Sequence, residues 1–171
     1  MKKLTHQSGV SLLELLIYIA IFAILAVFLV SIFTVIIRSR ATANARFDVE
    51  ENLRFAVEKI QQSVFDSSLT LVNGSCPLTS LELRIGSATT TYQVSGGVLQ
   101  IQEGSGNPFN AVTASNVVVS TPANADCLFT KISNPSPAKS TIQLKIKVRY
   151  NDQGRDELKF SDSAQSTISL R

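Results

Sequence analysis

The sequence has few of the residues on which enzyme and metal sites depend. Its one histidine is His6, it has no tryptophan, and its two cysteines are Cys76 and Cys127. Nucleophilic Ser–His and Cys–His arrangements need a histidine beside the nucleophile. Two cysteines without a histidine supply half of a zinc site. We therefore predict that the chain is not an enzyme and that it holds no metal and no cofactor.

Two further chemistries are weakly represented. A calcium site at residues 151–157 would have oxygen ligands, but the spacing is not that of an EF-hand and Arg155 adds positive charge. There is no glycine-rich phosphate loop, so no nucleotide is expected as a partner. The acidic residues of the C-terminal half are predicted to be solvated turn residues rather than a catalytic pair. They are Asp126, Asp152, Asp156, Glu157 and Asp162.

Glycine and proline are absent between Val10 and Gly74, and no charged residue occurs from Leu15 to Ile37. A helix over that uncharged run is about 35 Å long, enough to cross a hydrocarbon core of about 30 Å. A single strand cannot satisfy its backbone in lipid, so a helix is the viable conformation. The sequence predicts a transmembrane helix over residues 10–37.

The helix is predicted to continue beyond the membrane over residues 38–66, ending near Phe65. Apolar residues recur there at steps of three and four, which indicates one buried helix face. These residues are Val49, Leu53, Ala56, Ile60 and Val64. Glu50, Arg54 and Glu58 step by four on a polar side and are expected to pair along the surface.

Residues 67–171 are predicted to form a β-rich globular head. Short runs alternate between apolar and polar residues, as half-buried strands do. The runs are 81–85, 91–94, 98–102, 117–119, 128–132, 142–148 and 167–170. Gly96-Gly97 predicts a tight hairpin turn, and residues 151–154 predict a turn leading to a strand at 157–160. The expected fold is α+β, with a long N-terminal helix packed on a mainly antiparallel sheet.

A lone carboxylate near the start of the apolar run is the most informative residue. Glu14 costs about 2.5–3.5 kcal/mol in lipid on insertion scales, and it needs a cationic partner. Cleavage after Gly9 would free the α-amine of Val10 one helical turn away, with a reference pKa of about 8. In a helical assembly Glu14 would instead meet the amine of a neighbouring chain. The other interpretation is that Glu14 reaches to the membrane surface.

The run from Gly9 through Leu15 resembles the N-terminal signal of type IV prepilins and type II secretion pseudopilins. That family usually has Gly followed by Phe-Thr-Leu-Ile-Glu-Leu, whereas this chain has Val10-Ser11-Leu12-Leu13-Glu14-Leu15 after Gly9. The resemblance implies a leader at residues 1–9, which a prepilin peptidase would remove. It also implies N-methylation of Val10 and a role for Glu14 in assembly. His6, Lys2 and Lys3 would be lost with the leader.

The resemblance also implies partners and a location. The partners would be other pilin or pseudopilin subunits, the inner-membrane assembly platform and membrane lipid. The protein would be a single-pass protein of the cytoplasmic membrane with an extracytoplasmic head, later part of an extracytoplasmic or cell-surface filament (a fimbrium or a type II secretion pseudopilus). Val10 in place of phenylalanine, and the absence of glycine or proline from the helix, favour a minor pilin or minor pseudopilin.

Three alternatives stay open from the residues. Ala43-Asn44-Ala45 resembles an ordinary signal cleavage site, although the apolar run is longer than a signal's core. The protein could instead be a membrane-anchored binding module that recognises DNA, a surface or a secreted protein without polymerising. Nucleic acid is otherwise not expected, because the net charge of +3 falls to +1 without the leader. Cys76 and Cys127 either form a disulfide, as an extracytoplasmic head would permit, or are unrelated small apolar residues.

Overall fold

The computed structural model describes residues 11–74, 76, 80–122, 127–133 and 140–169. Gly9, Val10 and His6 lie outside these residues, as do Asp126 and Leu170. The chain divides into two compact units, Met1–Ala41 and Thr42–Arg171. One helix and nine strands form the described structure, which confirms the predicted α+β class.

Helix α1 spans Leu12–Phe65 and ends at the predicted residue. Within the second unit it buries one face, as its spacing predicts. The five predicted core residues of that face are 0–6% exposed, and they are Val49, Leu53, Ala56, Ile60 and Val64. They pack in one core cluster with residues of both sheets. The polar side contains the predicted ion pair, in which Arg54 Nε lies 2.7 Å from Glu58 Oε1.

Five strands form the first sheet, in the order β1-β2-β3-β4-β5 with every pair antiparallel. The strands are β1 (Leu69–Asn73), β2 (Ser80–Ile85), β3 (Ala88–Ser95), β4 (Val98–Glu103) and β5 (Asn110–Ala111). Gly96 and Gly97 form the predicted hairpin turn with φ of 59° and 78°. Such values favour glycine, and they match the primed turns that suit the twist of a two-residue hairpin.

The second sheet is built around the eleven-residue strand β8 (Ser140–Tyr150). Strands β6 (Val117–Ser120) and β7 (Phe129–Ser133) pair with opposite ends of one edge of β8. Strand β9 (Ser161–Ser169) pairs along the other edge. The backbone N–H of Val119 donates to the carbonyl of Gly97 at 2.7 Å, which ties this sheet to the β3–β4 turn.

Three parts of the head differ from the sequence prediction. The prediction of a strand at residues 157–160 is wrong. Asp156–Leu158 form a 3₁₀ turn, and the strand that pairs with β8 begins at Ser161. Strands β1 and β5 were not predicted. In β1 the exposed residues include Leu69 and Leu71 while Thr70 is buried, so the apolar residues do not mark the inner face. The two residues of β5 are too few to form a pattern.

Candidate membrane and assembly segment

The N-terminal part of α1 exposes an almost continuous apolar surface. One 18-residue window has a mean hydropathy of 3.1, and none of that window is buried within the chain. Apolar side chains such as Leu12, Phe22 and Phe28 are more than 65% exposed. Such a surface is unfavourable in water, and its length suffices to cross a bilayer. The segment therefore has the composition and length of a membrane-spanning helix.

The hydrogen bonds of two hydroxyl groups in this segment support the same interpretation. Ser31 Oγ donates to the carbonyl of Val27 at 3.0 Å, and Thr34 Oγ1 donates to the carbonyl of Ser31 at 2.8 Å. These hydroxyls are hydrogen-bonded within the helix and need no water. With both satisfied, Glu14 is the main polar group of the segment.

Glu14 lies in the first turn of α1. The N–H groups of Glu14 and Leu15 donate to the carbonyl of Ser11 at 3.0 and 3.1 Å, so the helix is established by this point. The helix N-terminus has a partial positive charge that favours a carboxylate. The Tyr18 hydroxyl donates to Glu14 Oε1 at 3.3 Å. A neutral phenol does not balance the charge, so the carboxylate keeps the capacity to bind a cation.

Tyr18 is the residue near Glu14 that sequence reasoning missed. It lies four residues after the carboxylate, and residues at that spacing are neighbours on a helix. A phenol at this position in the sequence could have indicated the contact.

The two cysteines are close together in the second unit. Their sulfur atoms are bonded and their Cα atoms are 4.7 Å apart, within the usual range for a disulfide. The bond joins positions separated by 51 residues. It links the segment between β1 and β2 to the segment before β7. Neither cysteine is thereby left as a nucleophile or metal ligand.

Three of the acidic residues considered for catalysis or calcium serve local structure, and Asp126 lies outside the described residues. Asp152 Oδ1 accepts the N–H of Gly154 at 3.2 Å, and Asp162 Oδ1 accepts the N–H of Ser163 at 2.7 Å. Asp156 forms an ion pair with Lys159. Within the described ranges, no group of three His, Cys, Asp or Glu residues is placed to hold a metal ion.

A cleft of about 890 Å³ lies in the second unit between the outer turns of α1 and residues 111–116. The N–H of Ala114 donates to Asn52 Oδ1 at 2.8 Å, and Asn116 Nδ2 donates to Asp48 Oδ2 at 2.7 Å. These bonds hold the chain after β5 against the helix. The helical wall of the cleft includes Glu51 and Phe55.

Comparison with known proteins gives one finding, at the N-terminus. Residues 4–30 match the model of the prokaryotic N-terminal methylation motif. No curated protein and no solved structure matches the chain. The matched range includes Gly9, Val10 and Glu14, and it covers the first part of the apolar helix.

Proposed function

We propose, from the premise that this chain has the N-terminal motif and apolar helix of a type IV pilin-like protein, that it is a structural subunit of a pilus-like filament. The motif supports a precursor of the pilin or pseudopilin type, anchored by one membrane-spanning helix. The finer role is that of a minor pilin or minor pseudopilin, processed after Gly9 and N-methylated at Val10. The protein acts by assembling and is not an enzyme.

The observation that carries this proposal is the position of Glu14 within the matched motif. It is exposed in the first helical turn, and Tyr18 is its neutral hydrogen-bond donor. Removal of the leader supplies the missing cation at Val10, on the same chain or on a neighbouring one. Pairing with a neighbour fixes the axial register between two apolar helices, as a single polar residue does in coiled coils.

The partners follow from this role. A prepilin peptidase would cut after Gly9, and the assembly platform of the cytoplasmic membrane would move subunits from lipid into the filament. The filament and the extracytoplasmic position of the β-rich unit belong to the same proposal. The disulfide is compatible with that position, since disulfides persist outside the cytoplasm.

The test is mass analysis of the membrane-extracted protein, combined with substitution of Glu14 in the cells that make it. We expect a mature chain that has lost residues 1–9 and gained one methyl group. Removing one partner of a buried ion pair costs about 3–5 kcal/mol. Glu14→Ala should therefore reduce the amount of assembled protein at least about a hundredfold, while Tyr18→Phe, the matched control, should assemble normally.

Two outcomes would contradict the proposal. A working protein that keeps its leader, or that begins near Arg46, is not a processed pilin. Normal function of the Glu14→Ala variant would instead favour a membrane-anchored binding module that does not polymerise.

A further inference from the structure

Strand β9 lies at the outer edge of the second sheet. It pairs with β8 on one side, and none of the strands that the structure describes lies on its other side. The pairing with β8 is continuous from Ser161 opposite Arg149 to Ser169 opposite Thr141. An edge strand has a row of unpaired backbone N–H and C=O groups, and such a row can pair with a strand of another chain.

The hydrogen bonds of β8 show which groups of β9 point outward. The backbone N–H of Tyr150 donates to the carbonyl of Phe160 at 2.9 Å, and that of Lys145 donates to Leu128 on the other side of β8 at 3.0 Å. In an antiparallel pair, residues that exchange hydrogen bonds alternate with residues that do not. Even-numbered residues of β9 therefore bond to β8, and the backbone groups of its odd-numbered residues point away. These outward residues are Ser161, Ser163, Gln165, Thr167 and Ser169.

One of the outward N–H groups is already occupied. Asp162 Oδ1 accepts the N–H of Ser163 at 2.7 Å, which closes that end of the strand. Within the described residues, the N–H groups of Gln165, Thr167 and Ser169 have no hydrogen-bond partner. We call residues 165–169 the open edge, since the backbone of these three residues is available to a partner.

The open edge lacks the features that usually protect an edge strand. Sheets avoid pairing with other chains through short edge strands, lysine, proline, bulges or covering segments. Residues 163–169 contain no charge and no proline, and their register with β8 has no bulge. Elsewhere among the described strands, β5 has only two residues, Lys131 Nζ of β7 donates to the carbonyl of Thr70 in β1 at 3.1 Å, and β6 bonds to the β3–β4 turn.

The open edge is held in place on its inner side. Ile168 is buried in the core, and Gln61 Nε2 donates to Ser166 Oγ at 2.8 Å, which attaches β9 to α1. Ser169 Oγ also lies 3.3 Å from Thr141 Oγ1 of β8. A strand that is already ordered loses little conformational entropy when a partner pairs with it.

A second copy of the same strand fits the open edge. In an antiparallel pair centred on Thr167, that residue lies opposite its own counterpart and Gln165 lies opposite Ser169. Every outward residue of the open edge then exchanges two backbone hydrogen bonds with the residue opposite. Two threonines directly opposite each other are a favourable pair, and the uncharged segment brings no like charges together.

We propose that two copies of this chain pair antiparallel through their open edges, with a twofold axis at Thr167. The contact is isologous and joins the two second sheets into one. It is weak between free molecules, because stable interfaces bury about 1,200 Å² or more, but anchoring in one membrane raises the local concentration of the copies. An extended segment of another protein is the less favoured occupant, because specific recognition of such a segment needs side-chain pockets and the open edge is bordered by uncharged polar side chains.

Cysteine cross-linking of the full-length protein in membranes tests the pairing and its register. Opposing Cα atoms in a hydrogen-bonded pair are about 5.5 Å apart, which a disulfide can bridge. Thr167→Cys should therefore give a linked dimer on mild oxidation, and the bonded Cys76 and Cys127 offer no competing thiol. The matched control, Gln165→Cys, should give about tenfold less dimer, because its two copies lie about 14 Å apart along the strands.

A mixed experiment and a change of background sharpen the cross-linking test. Differently tagged Gln165→Cys and Ser169→Cys copies in the same cells should link to each other. The inference goes beyond the proposed function, because the pairing needs neither removal of the leader nor Glu14. The Thr167→Cys dimer should therefore persist when Glu14→Ala is added, and its loss there would contradict the pairing.

A proline substitution tests the backbone hydrogen bonds. Proline is tolerated on an edge strand where its missing N–H would face solvent, so Thr167→Pro should unfold in urea at the wild-type concentration. The dimer loses one hydrogen bond from each copy, so co-purification of differently tagged copies should fall about tenfold. Thr167→Val keeps the N–H and the branched shape, and as the matched control it should pair normally.

Three results would overturn the inference. They are absence of the Thr167→Cys dimer, equal linking at Thr167 and Gln165, and linking of Thr167→Cys to a different protein in place of a second copy. The cross-links decide the outcome even if Thr167→Pro does not fold. None of these results changes the expected loss of residues 1–9 or the effect of Glu14→Ala on assembly, so the proposed function would stand.

Discussion

A buried hydrogen bond between Ser63 and Tyr92 joins the helix to the first sheet. Tyr92 is fully buried, and its hydroxyl lies 2.7 Å from Ser63 Oγ and 3.4 Å from the carbonyl of Lys59. Burial raises the pKa of Tyr92, and the bond to Ser63 opposes that shift more weakly. Because the folded state favours the neutral phenol, this contribution to stability is present below a pH of about 10 and is lost as pH rises through the raised pKa.

Tyr92→Phe should therefore destabilise the second unit at neutral pH. The substitution leaves Ser63 Oγ buried without this partner, and an unsatisfied buried hydroxyl costs about 1–3 kcal/mol. Urea unfolding of the full chain in detergent micelles measures the loss. Adding Ser63→Ala to Tyr92→Phe should recover part of the lost stability. The Tyr92→Phe protein should also lose less stability than wild type between neutral and strongly alkaline pH. Equal stability of wild type and Tyr92→Phe would show that the bond contributes nothing.

Helix α1 has different surroundings along its length. From Leu12 to Ile37 its side chains are almost all exposed, whereas from Ala45 onward every third or fourth residue is buried in the core. The helix in the second unit is stable because one face packs against two sheets. Phe55 lies on the opposite face of the helix and is half exposed, so it contributes little to this packing.

Ile60→Ala should lower the free energy of unfolding by about 2–5 kcal/mol, because it leaves a cavity at a fully buried position. Phe55→Ala removes a larger side chain from the same helix, yet it should change stability by only about 0.5 kcal/mol, because Phe55 is half exposed. Thermal or urea unfolding of both variants compares them directly. Similar losses of stability for the two variants would mean that the helix does not pack against the sheets through the face that contains Ile60.

The disulfide acts on the molecule as a whole. It joins Cys76 and Cys127, in segments that lead to strands of different sheets. A cross-link over a separation of 51 residues restricts the unfolded chain more than the folded one, on the entropic account. Its stabilisation adds to that of the shared core.

Replacing both cysteines by serine should destabilise the second unit by about 2–5 kcal/mol. Thiol labelling of the unreduced, denatured wild-type protein should find no free thiol, and reduction should expose two. Reduced wild type should be about as stable as the double variant, which serves as its control. Labelling of unreduced protein would show that the cysteines are unpaired.

Local chemistry made several parts of this protein predictable. The apolar run and the amphipathic spacing specify helix from residues 12 to 65. A span in lipid requires an uninterrupted apolar run, and a helix packed on a core requires one apolar face. Two adjacent glycines specify the β3–β4 turn. The N-terminal motif was likewise readable because its residues are adjacent in sequence.

Other features depend on contacts between distant segments. Leu69 and Leu71 are exposed in β1 because pairing with β2 sets which residues face the core. Strand β9 is polar along most of its length, and its pairing with β8 supplies the backbone hydrogen bonds that make it a strand. The bond between Cys76 and Cys127 depends on how the strands arrange the two segments. The residues that lie opposite Lys147 on β6 and β9 were likewise set by strand pairing, and the alternation within β8 does not reveal them. The sequence by itself determined the helix and the N-terminal chemistry, where neighbouring residues suffice, and the tertiary structure decided strand pairing and surface charge, which residues far apart in the chain create together.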